Sequence, residues 1–497
     1  MTAPFRSQAP EQPASEKAES RYRSIAILII MVGVMMAGID TSAVVLALPV
    51  MVQDLHSDII SMIWVIMAYI LTITILGTQV GRLGDMFGRV RLYNSGFGLF
   101  TIGSLLCGLS VSGPELIAFR VAQGVGGALI SSNSGAIIAD TFPPSERGRA
   151  YGISGAGYSI GAILGILIGG AFVTFLSWRY IFLINIPIGV VATTVGFYIL
   201  RERSPRIKAR LDLLGMAMLG ASLFLLLFGT TNITGSGFAP EYIAEVALGL
   251  GMLPLFVLYE RRCASPLLDL SLLKQRVLTA SILAAFLQSL ASFAVLFLLI
   301  MYLQGPRNMT PWNAALLLIP GYVLGGAIAP FSGRLSDRMG ARVVASIGIG
   351  LQICGFLVYA TLGLSTPTFF VVIGAILNGS GSSSFFPANN SAVMSSAPPK
   401  AYGVVSGLLR TLSNIGMACS FAVALLIASL SIPRQVAFEI FLGVGRIQGQ
   451  LSSAFVNGMH GALAGSIAVL LLALTLSILR GREARTLRQP ASQPTSN

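Results

Sequence analysis

Charge is what this sequence has least of. Asp, Glu, Lys and Arg make up 10% of it, where an ordinary soluble protein carries about 25%. Apolar residues make up 54%. A soluble domain cannot cover so much apolar surface with so thin a polar coat, so lipid must cover it. Cysteine is equally sparse. The four present (Cys107, Cys263, Cys354 and Cys419) lie within predicted helices or near connecting loops and show no metal-ligand spacing. That excludes a disulfide framework and leaves them as small core residues. The two histidines, His56 and His460, sit near predicted helix ends and read as solvated or structural groups. No Gly-x-x-x-x-Gly-Lys-Ser/Thr loop occurs, which argues against a nucleotide-driven pump. No nucleophile or metal constellation stands out, so neither an enzyme nor a cofactor is expected. The net charge of +13 does not point to nucleic acid. Its basic residues sit in short loops beside apolar runs, where they orient a chain in a membrane.

What is present is a succession of spanning segments. A spanning helix needs about 20 apolar residues, and fourteen such runs follow one another. They fall near 25–51, 60–80, 92–111, 114–138, 150–174, 180–200, 213–230, 241–259, 277–302, 313–332, 343–363, 367–390, 402–430 and 459–479. Residues 1–23, rich in Ala, Ser, Pro and Glu, read as a disordered tail with no cleavable leader. Residues 481–497 form a second tail. An even number of spans puts both tails on one side. Of the 32 basic residues, Arg179, Arg307, Arg434 and Arg446 fall on the opposite side, Arg120 and Arg410 fall within helices, and the rest share the side of the tails. That asymmetry makes the tails cytoplasmic.

The spans group as six, two and six. The first bundle is expected over 24–200 and the second over 277–480. Between them, 201–276 holds two basic connectors and a helix pair turned at 230–237. The stretch 431–458 is too polar to span and reads as an amphipathic segment on the outer face. The halves echo each other. Gly81-Arg82-Leu83-Gly84-Asp85-Met86-Phe87-Gly88 follows the second span, and Gly333-Arg334-Leu335-Ser336-Asp337-Arg338-Met339-Gly340 follows the second span of the later bundle with the same spacing.

Several polar residues lie where lipid would not tolerate them unpaired. Asp40 sits close to the middle of the first span, where a carboxylate costs about 2.5–3.5 kcal/mol on insertion scales. It must face a cavity or a partner, and a proton-loading role is preferred over a structural hydrogen bond. Arg120 lies inside the fourth span with Gln123 one turn on, and Asp40 is its candidate counter-charge. In the fifth span Gly157, Gly161, Gly165 and Gly169 line one face and form a close-packing groove. Asp85, bracketed by Gly81 and Gly88, and Arg89 and Arg91 just after it suit a charge relay at the cytoplasmic gate, with Asp337 the repeat of Asp85. Arg410 reads either as a cavity charge or as a lock on that gate. The run Asn378-Gly379-Ser380-Gly381-Ser382 is polar for a span. Its side chains either touch substrate, Asn378 and Ser382 first, or form a hinge of small residues. Among the aromatics, Trp64 and Tyr69 are candidates for a lipophilic binding wall, and Gln123 joins them as a polar contact.

These motifs together resemble the major facilitator superfamily of secondary transporters. The loop at 81–91, the run Arg120-Val121-Ala122-Gln123-Gly124, the glycine-rich fifth span, Trp178 to Gly189 and Asp40-Thr41-Ser42 are similar to its 14-helix drug:proton antiporter branch. The resemblance implies an all-α integral membrane fold of two six-helix bundles with two inserted helices. It also implies a prokaryotic cytoplasmic-membrane exporter of lipophilic, often cationic compounds, driven by protons, with Arg120 linked to proton transfer beside Asp40; a monomer is expected. A dedicated metabolite exporter or a symporter of the same fold is the alternative. In the fifth span Ile166 stands where that branch has proline after Gly165, so the expected kink is in question.

Overall fold

A computed structural model describes residues 13–203, 206, 211–263, 266, 274–396, 402–433 and 450–481. Among them, fifteen helices account for the fourteen crossings. These are α1 (Pro13–Asp54), α2 (Ile59–Phe87), α3 (Arg89–Leu109), α4 (Gly113–Thr141), α5 (Pro144–Phe175), α6 (Tyr180–Leu183), α7 (Asn185–Ile199), α8 (Leu213–Ser236), α9 (Pro240–Glu260), α10 (Arg276–Gln304), α11 (Pro311–Met339), α12 (Ala341–Tyr359), α13 (Phe369–Ser396), α14 (Tyr402–Leu430) and α15 (Gln450–Leu479). The short α6 and α7 make one crossing, Tyr180–Ile199. Thirteen segments are long and apolar enough to cross a membrane. The fourteenth, α4, is diluted by Arg120, Gln123 and Asn133 and by its serines and glycines.

The repeat heard in the sequence is visible in the packing. In the first bundle α1 packs on α5, α2 and α3 pack on α4, and α3 packs on α7. In the second α10 packs on α14, α11 and α12 pack on α13, and α12 packs on α15. The bundles meet through α5 with α11 and α2 with α14, which are equivalent pairs under the repeat. The inserted α8 packs against both α2 and α14 and so covers one of these two seams.

Several helices outrun their expected ends. α1 begins at Pro13, inside the tail expected to be disordered. Its first turns are held by Glu19, which pairs with Arg23 at 3.3 Å and Arg203 at 2.8 Å, and by Tyr22, whose ring lies 4.5 Å from the Arg203 guanidinium. α8 runs on to Ser236 through the expected turn, and Thr230, Thr231 and Thr234 satisfy their hydroxyls on carbonyls of their own helix. α15 starts at Gln450, so 450–458 is helix rather than surface segment. Residues 434–449 of that segment lie outside the described residues. α2 continues to Phe87, which places Gly81 and Asp85 on a helix and leaves only Gly88 as the corner. Gly88 has φ +109°, and its repeat Gly340 has φ +90°. Only glycine adopts such angles without strain. The polar run in α13 is continuous helix, with no break in the backbone.

Candidate functional site

The face where α1 begins and α15 ends is called the terminal face below, and the opposite one the far face. About 10 Å along α4 from the far face, Arg120 is 1% exposed and sits at the centre of a polar cluster. Its Nη1 donates to Asp40 Oδ2 at 2.6 Å and to Gln123 Oε1 at 2.6 Å, and its Nε donates to the Val65 carbonyl at 2.8 Å. Gln123 Nε2 donates to Asp40 Oδ1 at 2.8 Å and to Ser104 at 2.7 Å. Asn185 of α7 reaches Ser104 at 3.4 Å. The Tyr69 ring lies 4.2 Å from the Arg120 guanidinium. Five helices of one bundle thus converge on one carboxylate and one guanidinium, both out of water. Breaking such a pair from one side costs about 3–5 kcal/mol, because a buried charge is left behind.

The glycine face of α5 explains how α1 holds Asp40 there. A Cβ at Gly157 would meet Met31 O at 2.8 Å, at Gly165 Ile39 O at 2.5 Å, and at Gly169 Ala43 Cα at 3.1 Å; at Gly161 it would run into Met35 O. The helices run parallel, backbone on backbone, in four-residue steps. Asp40 lies between the last two steps. α5 is unbroken across Ile166, which is fully buried.

At the terminal face Arg89 joins three elements. It bonds Asp85 through Nε at 2.8 Å and Nη2 at 2.7 Å, and its Nη1 bonds both oxygens of Asp140, at 2.7 and 2.8 Å. Glu202, from the connector after α7, accepts the main-chain N–H groups of Arg89 and Val90 at 3.0 and 3.1 Å and so caps α3. A side chain on Gly88 would collide with that carboxylate, its Cβ 2.6 Å from Oε2. Arg91 is exposed and takes no part in the network. Gly81 has nothing within 4 Å of an added Cβ, so it is not a packing glycine. The Asp337 side chain lies outside the described residues. The Arg89 pairs are part-exposed, so their stabilising effect is at most about 1 kcal/mol each. Arg89→Gln is therefore expected to fold with a melting temperature near wild type in detergent and still to lose most transport in vesicles. A large fall in melting temperature would instead make the network structural.

The bundles are joined at the far face. Gln304 of α10 donates to the Leu46 carbonyl at 2.9 Å, the Trp312 N–H donates to Thr174 at 3.0 Å, and a Cβ on Gly170 would lie 2.8 Å from Ala315 Cβ. Toward the terminal face the partners separate. Gly152 and Gly155 of α5 and Gly326 and Gly333 of α11 have nothing within 4 Å of an added Cβ. A bridge crosses there: Arg410 Nη1 of α14 donates to the Ser131 carbonyl of α4 at 2.6 Å.

The expected binding residues are redistributed. Trp64 does not face the cleft; it packs on the inserted α8, with its ring 5.5 Å from Phe224 and 5.9 Å from Phe228. Tyr69 and Gln123 are buried in the Asp40 cluster and present nothing to a ligand in this conformation. Asn378 is half-buried and its Oδ1 has no hydrogen-bond partner among the described residues. Gly379 and Gly381 beside it meet Gly321 and Gly348 at their backbones, so small residues here serve close packing. Ser382 is half-buried. Sequence reasoning missed Asp140, Glu202, Ser104 and Asn185. It also missed the neutral cluster of the second bundle, where Gln288 Nε2 and Ser292 Oγ donate to Gln352 Oε1 at 2.8 and 3.0 Å. For Ser104, Asn185 and this second cluster the signal was polarity inside an apolar run. At the far face, the run beginning at Trp178 makes a clamp. Trp178 and Arg179 both donate to Asp54 Oδ2, at 2.8 and 2.7 Å.

Two repeated six-helix bundles, sealed together at one face and parted at the other, with an ion pair buried in one of them, define a multi-pass membrane transporter. The chain belongs to the Major Facilitator Superfamily, whose profile matches residues 30–421. It is 31% identical over 403 residues to the riboflavin transporter RibZ of Clostridioides difficile, covering 81% of this chain and 87% of that protein. It is 28% identical over 404 residues to the tetracenomycin C resistance and export protein of Streptomyces glaucescens, covering 80% of this chain and 74% of that one. Among solved structures, an auto-inhibited POT family peptide transporter superposes with a TM-score of 0.65 at 17% identity, covering 94% of this chain and 99% of that one. At that identity the likeness is one of fold.

Proposed function

We propose that this protein exports lipophilic small molecules across a prokaryotic cytoplasmic membrane in exchange for protons, with the terminal face cytoplasmic. Asp40 is the group that takes the coupling proton, and Arg120 is its partner. The observation that carries this reading is the isolated Asp40–Arg120 pair. An acid and a base held out of water, inside helices that also form the bundle's moving wall, respond to a proton by losing their attraction. Protonated Asp40 no longer balances Arg120, and the cluster must rearrange. Because α1 rides on α5, and α5 meets α11 across the seam, that rearrangement is felt at the far-face seal. Proton entry supplies about 2.3 kcal/mol per charge per 100 mV, enough to favour one conformation over the other. The Arg89 relay at the terminal face, which joins α2, α3 and α4, is the gate that changes in step. The export protein of Streptomyces glaucescens supports the direction of transport.

A dedicated metabolite carrier is the second reading, and the riboflavin transporter relative favours it. The two separate in inside-out vesicles. An exporter of broad range accumulates several unrelated lipophilic dyes and antibiotics, and a protonophore abolishes that accumulation. Accumulation that ignores the protonophore would remove proton coupling. Response to a single metabolite among many would select the second reading.

A further inference from the structure

Arg410 carries a guanidinium across the cleft between the bundles. It lies about 12 Å along α14 from the terminal face, its partner there is a main-chain carbonyl, and its side chain is still exposed. No described carboxylate pairs with it. Asp40 is spent on Arg120, and Asp85 and Asp140 on Arg89. Its neighbours are neutral and polar. Asn414 lies one turn further along the same face of α14 and Gly407 one turn before it, with open space at Gly407. Across the cleft, Tyr151 of α5 is 46% exposed and donates its hydroxyl to the Gly135 carbonyl at 2.9 Å. Tyr158, two turns on, is 40% exposed.

An arginine at membrane depth is costly unless it meets a polar partner or water. A neutral carbonyl is a weak acceptor for it, whereas a carboxylate, sulfonate or phosphate accepts two of its N–H groups at once. The walls beside it are phenol rings and aliphatic helix, which suit a flat lipophilic body.

We infer that the cleft recognises lipophilic anions, with Arg410 binding the anionic group in place of the Ser131 carbonyl and Tyr151 and Tyr158 flanking the apolar body. This rests on the export reading above and names its substrate class, which differs from the cations expected from sequence. Releasing Ser131 would also undo the bridge between α4 and α14. Binding and loosening of the terminal-face contact are then one event.

Fluorescein and rhodamine 123 share a xanthene ring and differ in charge, so they isolate the electrostatic preference. Their equilibrium binding to the purified full chain in neutral detergent at pH 7.5, followed by fluorescence anisotropy, uses no proton gradient. Failure of proton coupling therefore leaves this result untouched, and the reverse also holds. Fluorescein is expected to bind the wild type about 10-fold or more tightly than rhodamine 123. R410Q should weaken fluorescein by about 10- to 100-fold, the order expected when the charge-assisted contact is lost, and leave rhodamine 123 unchanged or tighter. R410K, which keeps the charge and loses the fork, should fall between, and it carries the test if R410Q does not elute as a single species. Equal or tighter rhodamine binding to wild type, fluorescein binding indifferent to both variants, or saturable binding of neither dye would each overturn the assignment.

Discussion

Arg120→Leu is expected to lose most of its folded yield, and the double variant Asp40→Asn/Arg120→Leu to recover much of it. In the single variant Asp40 keeps its charge without a counter-ion, 1% exposed and surrounded by helices. The cost is about 3–5 kcal/mol, a large part of the marginal stability of a folded domain. In the double variant both charges are gone, and Gln123, itself held by Ser104, remains to bond the asparagine amide. Thermal unfolding in detergent reads the difference, and the non-additivity of the two changes measures their coupling. Neither variant should accumulate substrate against a gradient. Recovery of stability without recovery of pumping separates the pair's structural part from its coupling part. A double variant that pumps would end the assignment of Asp40 and Arg120 as the coupling pair.

The second large effect is expected at the α1–α5 seam. Gly161→Ala puts a methyl group into the Met35 carbonyl, and main chain cannot step aside as a flexible side chain can. Overpacking of this kind costs about 1–3 kcal/mol, and here it also shifts Asp40 relative to Arg120. Gly152→Ala is the matched control. Nothing lies within 4 Å of its added Cβ, so the change should be neutral or stabilise by up to about 1 kcal/mol through helix propensity. Gly161→Ala should therefore melt well below Gly152→Ala and transport poorly. Equal melting temperatures would mean that α1 and α5 are not seated backbone on backbone.

How much of this was legible in the sequence follows from the range of each interaction. Asp40 and Arg120 stood out because a charge in an apolar run has to be answered by a partner, and their pairing needed no knowledge of the fold. The glycines at 157, 161, 165 and 169 announced a close-packed face by spacing alone. What they could not announce was the occupant of the groove, since a four-residue period fits any parallel neighbour; α1 is settled by three-dimensional packing. Asp140 and Glu202 escaped notice for the same reason. Asp140 sits at a helix end and Glu202 in a charged connector, where acids are ordinary, and only the fold brings both to Arg89. Trp64 misled because an aromatic in a span fits a binding wall and a helix–helix contact equally well, and α8 claimed it. The corner at Gly88 was placed in a loop because charged residues around Asp85 resemble connecting chain. Helix in fact continues through Asp85 to Phe87, and Arg89, the first residue of α3, pairs back with Asp85 across the Gly88 corner.

Exchange between substrate and protons, carried by Asp40, is the central claim. The most direct measurement is proton release from acidified inside-out vesicles when lipophilic dyes of either charge are added, with wild type beside Asp40→Asn. The variant's dye exchange in the absence of a gradient shows that it is folded. The account predicts dye-triggered proton release in wild type, none in Asp40→Asn, and gradient-free exchange in both. Proton release of equal size in Asp40→Asn would contradict it and place the coupling proton elsewhere in the molecule.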